Sequence, residues 1–403
     1  MSRPTVVLVG TLDTKGEEYA FLRRRLEEAG VSTLVVDVGT QGPPGSRADV
    51  SREEVAAAGG FELASLTDRG AAVQAMCTAA ADVVRRLFDE GRCQGVLAAG
   101  GSGGTAIATA AMRALPIGVP KLVVSTMASG DTSGYVDVSD VGLLPAVTDV
   151  AGLNSISAGV LARAAAAMAG MVTMAPVDLG EARPVVAATM FGVTTPAVTA
   201  ARAELERRGY EVLVFHATGT GGRAMESLVE AGLVGGVLDL TTTELADDLV
   251  GGVLSAGAHR LEAAGRRGVP QVVSLGALDM VNFGPRESVP AQFADRTLYV
   301  HNPTVTLMRT TPEECAELGR RLGAKLSAAT GPVALFVPLR GISAIAGEGG
   351  PFFDPEADAA LLAGLRETLA PSVEVHEVDA HINDETFAAA VAARLDELMG
   401  GTT

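Results

Sequence analysis

Residues Gly100-Gly-Ser-Gly-Gly-Thr105 set glycines and hydroxyls between an apolar run, Gly95–Ala99, and a run of helix formers, Thr105–Leu115. That order predicts a strand, a turn and a helix. Backbone N–H groups left bare in such a turn can point at an anion, and the helix dipole favours negative charge there. Gly100, Gly101, Ser102, Gly103, Gly104 and Thr105 are therefore candidate contacts for a phosphate or carboxylate. The competing explanation is a tight turn in which glycine only permits close packing. No Gly-Lys-Ser/Thr follows, so the loop is not of Walker type.

A second loop follows the first apolar run, Thr5–Gly10. It reads Gly10-Thr-Leu-Asp-Thr-Lys15. The chain carries 28 Arg but only three Lys, so Lys15 stands out as a point-charge donor for phosphate. Asp13 is the candidate ligand for Mg²⁺ accompanying a nucleotide. Gly10, Thr11 and Thr14 complete the loop. Thr14 also reads as the N-cap of a capping box with Glu17. Asp37 ends the second strand and is a candidate ribose acceptor. No Gly-x-Gly-x-x-Gly is present, which argues against a nicotinamide or flavin site. A third loop, Ser125-Thr-Met-Ala-Ser-Gly-Asp131, adds Ser125, Met127, Ser129, Gly130 and Asp131. The three loops are expected to form one polar, glycine-lined crevice. Asp149 and Asn154, further on, are ligand residues, dimer residues or helix caps.

In the second half His216 precedes another glycine turn, Gly219-Thr-Gly-Gly222, near Arg223 and Glu226. A histidine so placed is a candidate acid or base. Asp279 and Asn282 follow a later strand, and His301 and Arg309 add polar groups. Arg340, after an apolar run, is a candidate clamp for a carboxylate or phosphate. His216, Asp279 and Arg340 are the expected catalytic set. His-Glu-x-x-His, Gly-x-Ser-x-Gly and Ca²⁺-loop patterns are absent from the sequence.

These loops need rigid elements to hold them. Strands Thr5–Gly10, Ser32–Asp37, Gly95–Ala99 and Lys121–Ser125 alternate with helices Glu17–Ala29, Arg69–Glu90 and Thr105–Leu115. The plan recurs with strands Pro184–Thr189, Glu211–His216, Gln271–Leu275, Pro332–Leu339 and Val373–Val378. Such alternation predicts an α/β fold with two Rossmann-like parallel-sheet subdomains in tandem, each three-layered α/β/α. The expected division is 1–180 and 181–403. Paired phrases, such as Val119-Pro-Lys-Leu-Val-Val-Ser and Val269-Pro-Gln-Val-Val-Ser, point to an internal duplication. Ala158–Met171 reads as a long buried helix.

Composition agrees. At 403 residues and 48% hydrophobic content with 4% aromatics, the chain suits buried parallel sheets. A net charge of −17 disfavours nucleic acid and anionic membranes as partners. Cys77, Cys93 and Cys315 are scattered and fit a reducing cytoplasm. No run is expected to span a membrane.

The loop phrases, in order, resemble a family of bacterial proteins similar to the N-terminal ATP-binding domain of the tomato mosaic virus resistance protein. The phrases are Gly10-Thr-Leu-Asp-Thr-Lys, Gly100-Gly-Ser-Gly-Gly-Thr, Ser125-Thr-Met-Ala-Ser-Gly-Asp, Asp149-Val-Ala-Gly-Leu-Asn, Met190-Phe-Gly-Val-Thr-Thr-Pro, Phe215-His-Ala-Thr-Gly, Gly276-Ala-Leu-Asp-Met-Val-Asn-Phe-Gly and His301-Asn-Pro-Thr. The resemblance covers nearly the whole chain. It implies two Rossmann-like subdomains, ATP binding at the first three loops, and a homodimer. It also implies a separate barrel-domain protein as partner, since the plant protein's barrel is absent here. Where the family pattern carries Cys after Thr-Thr-Pro, this chain has Ala197. Three readings follow. The first is a cytosolic enzyme using ATP on a small carboxylate-bearing substrate in an interdomain cleft. The second is a nucleotide-gated dimer that binds a protein partner without turnover. The third is an ATP-independent hydrolase or lyase with His216 as base.

Overall fold

The computed structural model describes residues 3–174 and 182–401. The chain divides into two compact units, Met1–Asp178 and Leu179–Thr403. The joint expected at 180/181 lies among residues 175–181, outside the described residues.

Unit 1 runs β1 (Thr5–Gly10), α1 (Leu12–Glu28), β2 (Ser32–Asp37), α2 (Arg52–Ala58), α3 (Arg69–Asp89), β3 (Gly95–Gly100), α4 (Ser102–Arg113), β4 (Lys121–Ser125), α5 (Ser133–Val136), β5 (Gly142–Pro145) and α6 (Ser155–Thr173). Its sheet is parallel, in the order β2-β1-β3-β4-β5. Strand alternation sorts β1 onto two cores. Val7 and Val9 pack with Met76, Val83 and Ile107 of α3 and α4. Val6 and Leu8 pack with Leu22, Leu161 and Ala165 of α1 and α6. Successive side chains point to opposite faces, so both faces need helices and the unit becomes α/β/α.

Three helices start earlier than expected, α6 at Ser155 among them. The first begins at Leu12, with no side-chain cap at Thr11. The Leu12 amide donates instead to Oδ1 of Asp37, 3.1 Å away at the end of the neighbouring strand. Thr14 is thus not an N-cap and makes no capping box with Glu17; its hydroxyl lies 3.1 Å from that of Thr11. A break at Lys15 (φ −129°, ψ 22°) kinks α1. The fourth helix begins at Ser102, so Gly103 and Gly104 sit in its first turn.

By length and composition α6 could cross a membrane, contrary to the expectation that no run approaches a span. Its Val160, Leu161, Ala164, Ala165 and Met168 lie in the core of unit 1.

Unit 2 runs β6 (Val185–Met190), α7 (Thr195–Arg207), β7 (Glu211–His216), α8 (Thr220–Glu230), β8 (Gly236–Thr241), α9 (Glu244–Val250), α10 (Ala263–Arg267), β9 (Gln271–Gly276), β10 (Met280–Phe283), β11 (Leu298–Asn302), β12 (Val305–Arg309), α11 (Pro312–Ser327), β13 (Val333–Pro338), α12 (Pro355–Thr368), β14 (Glu374–Val378) and α13 (Glu385–Leu398). Its main sheet is parallel, in the order β14-β13-β9-β8-β6-β7. Taken from β7, that is the strand order of unit 1 with one strand added. The two units are tandem Rossmann-like subdomains. A small antiparallel sheet, β10-β12-β11, was not expected. Its strands have only four or five residues, and Met280–Phe283 is buried throughout, so the period-2 signal is missing.

Candidate functional site

Strand β1 sits between β2 and β3, so the chain reverses direction across the sheet at that point. Parallel sheets bind ligands at such a point, beyond the carboxyl ends of the strands. A cavity of about 220 Å³ lies there in unit 1. Thr11, Asp13 and Lys15 line one side, and Gly101, Gly103 and Gly104 the other. The first two loops predicted from sequence are thus brought together.

The glycines can be tested against the packing explanation. A Cβ on Gly101, Gly103 or Gly104 would have its nearest neighbour at 3.8, 3.8 and 3.9 Å, which is ordinary contact. None of the three has a positive φ. Neither packing nor backbone strain requires glycine at these positions. The backbone there is open to the approach of another group. No side chain caps α4, so its first-turn amides are left for such a group. Gly10 is different. A Cβ there would lie 2.0 Å from the Tyr19 ring, so packing alone explains it.

Two cations face the cavity, Lys15 and Arg69. Neither has a side-chain partner among the described residues. Arg69 opens α3 and was missed; nothing local marks a first-turn arginine as a ligand. Two carboxylates also line the cavity, Asp13 and Asp149. Oδ2 of Asp13 accepts the Gln41 amide at 2.9 Å. Its Oδ1 is buried without a partner. Gly39 leaves the space for this side chain, since a Cβ there would come within 2.8 Å of the Asp13 carboxyl carbon. Among the described residues, no group of three or more His, Cys, Asp or Glu is placed to hold a metal alone.

The ribose role expected for Asp37 does not fit its position. It is 1% exposed, and its Oδ1 takes the amides of Leu12 and Gly39. Burial raises its pKa, and those two amides pull it back.

The third loop supports the site and also lines a neighbouring recess. The hydroxyls of Ser125 and Thr105 are 2.7 Å apart, tying β4 to α4. Ser125, Thr126 and Ser129 line a recess of about 410 Å³ with Thr148 and Asp149, so Asp149 borders both cavities. Met127, Gly130 and Asp131 line neither; Asp131 accepts the amide and hydroxyl of Ser133 instead.

Unit 2 does not gather its expected set. His216 ends β7 at the sheet edge, exposed, its ring tilted 31° to that of Phe191 with the centroids 5.4 Å apart. Asp279 follows β9, three strands or roughly 14 Å across the sheet. It is fully buried, takes a hydrogen bond from Ser343 at 2.7 Å, and keeps Oδ1 unpartnered. Burial pushes its pKa up to about 6, against the pull of nearby Arg309. Arg340 is not a free clamp: it forms an exposed two-pronged pair with Asp379 at 2.7 Å.

The second glycine turn is already filled. Oε1 of Glu244 accepts the amides of Gly219 and Gly222 at 2.7 and 3.0 Å. A Cβ on Gly222 would strike that carboxylate at 2.1 Å, and Gly219 has φ +82°. Here glycine serves an internal anion. The loop resembles that of unit 1 in sequence but not in availability.

Residues 4–176 match the N-terminal domain, and residues 183–399 the C-terminal domain, of a group described as Uncharacterised protein family (UPF0261). The chain belongs to the UPF0261 family. A UPF0261 protein of Clostridium tetani is 50% identical over 398 residues, 98% of each chain. One from Rhizobium meliloti is 51% identical, covering 97% of this chain and 98% of its own. The tomato ToMV resistance protein Tm-1(GCR237) is 41% identical over 96% of this chain, but the match covers 55% of the tomato protein. Among solved structures, a UDP-GlcNAc 2-epimerase from Methanocaldococcus jannaschii aligns with 68% of this UPF0261 chain and 83% of its own at 10% identity, with a TM-score of 0.24. That likeness carries no functional weight.

Proposed function

We propose that this UPF0261 protein binds ATP, with the phosphates in the unit 1 cavity. The observation that supports it most is the convergence of three otherwise unexplained glycines with two unpartnered cations, Lys15 and Arg69. A polyphosphate answers both: its oxygens accept from the α4 amides and take charge-assisted contacts from the side chains. In a chain of net charge −17, an anionic ligand needs such a locally positive point. Asp13 suits a magnesium ion carried with the phosphates, because its Oδ1 has no protein partner. The ion supplies charge neutralisation between phosphate oxygens when bound.

The proposed activity is use of ATP on a small polar, carboxylate-bearing substrate, in the cytoplasm and as a homodimer. The free thiols of Cys77, Cys93 and Cys315 support the compartment. Dimerisation, and a separate barrel-domain partner, rest on the family resemblance. Because His216, Asp279 and Arg340 stand apart, the substrate's contacts are more simply sought beside the phosphates, at Ser125, Ser129 and Asp149.

Calorimetric titration with Mg·ATP tests the reading. Micromolar binding that weakens about ten-fold or more in Lys15→Ala and Arg69→Ala is expected; no heat for the wild type overturns it. Incubation with ATP and candidate carboxylates then separates enzyme from gated binder. Stoichiometric ATP binding with no ADP, AMP or new product would assign the protein to nucleotide gating.

A further inference from the structure

We infer that the recess beyond β2 is the nucleobase subsite of the same ligand; this rests on the ATP reading above. The recess has a volume of about 500 Å³ and shares Thr40 and Gln41 with the phosphate cavity, so the two adjoin the same loop. Its wall is mainly apolar where the cavity is polar, with Glu53 and Glu62 also lining it. Ala57 of α2 and Phe61, Leu63 and Leu66 after it supply that wall. Phe61 and Leu63 pack one side against the core of unit 1 and keep part of their surface open.

A base is a flat ring with apolar faces and polar edges. An aromatic ring beside aliphatic side chains offers such a face a stacking surface. The neck is polar in the way a base edge or a sugar requires. Gln41 brings a carboxamide that both donates and accepts. Its backbone amide is bonded to Oδ2 of Asp13, so the neck is held by the carboxylate that faces the phosphates. Arg52, also in the wall, does not make a second phosphate site. It bonds to the carboxylate of Glu53 and the carbonyl of Gly42, anchoring the loop after β2.

The placement also orders the ligand. The apolar recess lies at the β2 side of the sheet and the phosphate cavity at β1 and β3. The polar recess of Ser125, Ser129 and Thr148 lies at β4 and β5. A nucleotide with its base beyond β2 directs its terminal phosphate towards the hydroxyl-lined recess.

Full-length protein is titrated with ATP and with inorganic tripolyphosphate. Phe61→Ala removes the stacking face. Ala57→Trp, at an exposed helix position, fills the recess without touching the core. Both are expected to weaken ATP about ten-fold or more while leaving tripolyphosphate affinity unchanged. Unchanged ATP affinity in both variants overturns the subsite. So does equal loss of ATP and tripolyphosphate in Ala57→Trp. Wild-type protein that binds tripolyphosphate as tightly as ATP keeps the phosphate cavity but overturns the base subsite. Wild-type protein that binds neither overturns the ATP reading, and the subsite with it.

Discussion

The guanidinium of Arg260 lies bidentate on the carboxylate of Asp239, with nitrogen–oxygen distances of 2.5 and 2.7 Å, and both side chains are buried. Arg260 also bonds Glu244 at 2.6 Å, the residue that fills the second glycine turn. One cation therefore balances the strand end and the loop above it. Removing it leaves two buried carboxylates without a counter-charge, a loss of about 3–5 kcal/mol. Arg260→Met is expected to unfold in urea with a stability lower by that amount. A change below about 1 kcal/mol would show the network to be energetically idle.

Lys15 and Arg69 are expected to act on the ligand and not on the fold. Neither side chain has a partner among the described residues, so Lys15→Ala and Arg69→Ala should leave the melting temperature within a degree or so. Each should weaken ATP about ten-fold or more, because a hydrogen bond to a charged group contributes about 1.5–3 kcal/mol. Calorimetry checks both variants. Equal affinity in Lys15→Ala would remove that side chain from the site.

The two kinds of glycine are expected to behave oppositely. Gly103→Ala meets no tight contact and should fold normally, yet bind ATP more weakly, because the methyl stands where the ligand approaches. Gly10→Ala collides with Tyr19 and should destabilise the protein outright. Thermal melts with and without ATP distinguish them. If Gly103→Ala binds ATP as the wild type does, no ligand comes close to that backbone.

Asp279 makes a pH prediction. Burial raises its folded-state pKa to about 6, above the ordinary 3.8 of the unfolded chain. The folded protein then holds a proton that the unfolded chain releases. Its stabilising share is present in full below pH 3.8 and is lost as pH rises through 6. The loss approaches about 3 kcal/mol at neutral pH. Asp279→Asn carries no such charge, so the variant should gain on the wild type as pH goes from 4 to 7. Urea midpoints at several pH values give the difference; a flat difference contradicts the raised pKa.

Val147 has φ +66° and is 77% exposed, in a turn closed by the Thr148 amide on the Ala146 carbonyl at 2.7 Å. A β-branched residue is strained there, and its side chain buries little in return. Val147→Gly is expected to raise stability by about 1 kcal/mol, net of glycine's greater unfolded-state entropy. A lower melting temperature would mean the valine is held by contacts beyond the turn.

What the sequence determined by itself was local. The alternation of apolar strands and helix-forming runs was enough for two tandem α/β units. Glycine and hydroxyl signals marked which strand ends carry the loops, and the ordered phrases pointed to the family. What the tertiary structure decided was the availability of each group. Gly101–Gly104 and Gly219–Gly222 read alike in the chain, but only the second is filled by a carboxylate, from Glu244, 25 positions beyond Gly219. Arg340 reads as a clamp until Asp379, 39 positions on, is seen to hold it. Asp37 reads as a ribose ligand until the start of α1 folds back onto it. Local periodicity comes from backbone geometry and is written along the chain. Whether a polar group is free depends on long-range pairing, which exists only once the strands are ordered in the sheet.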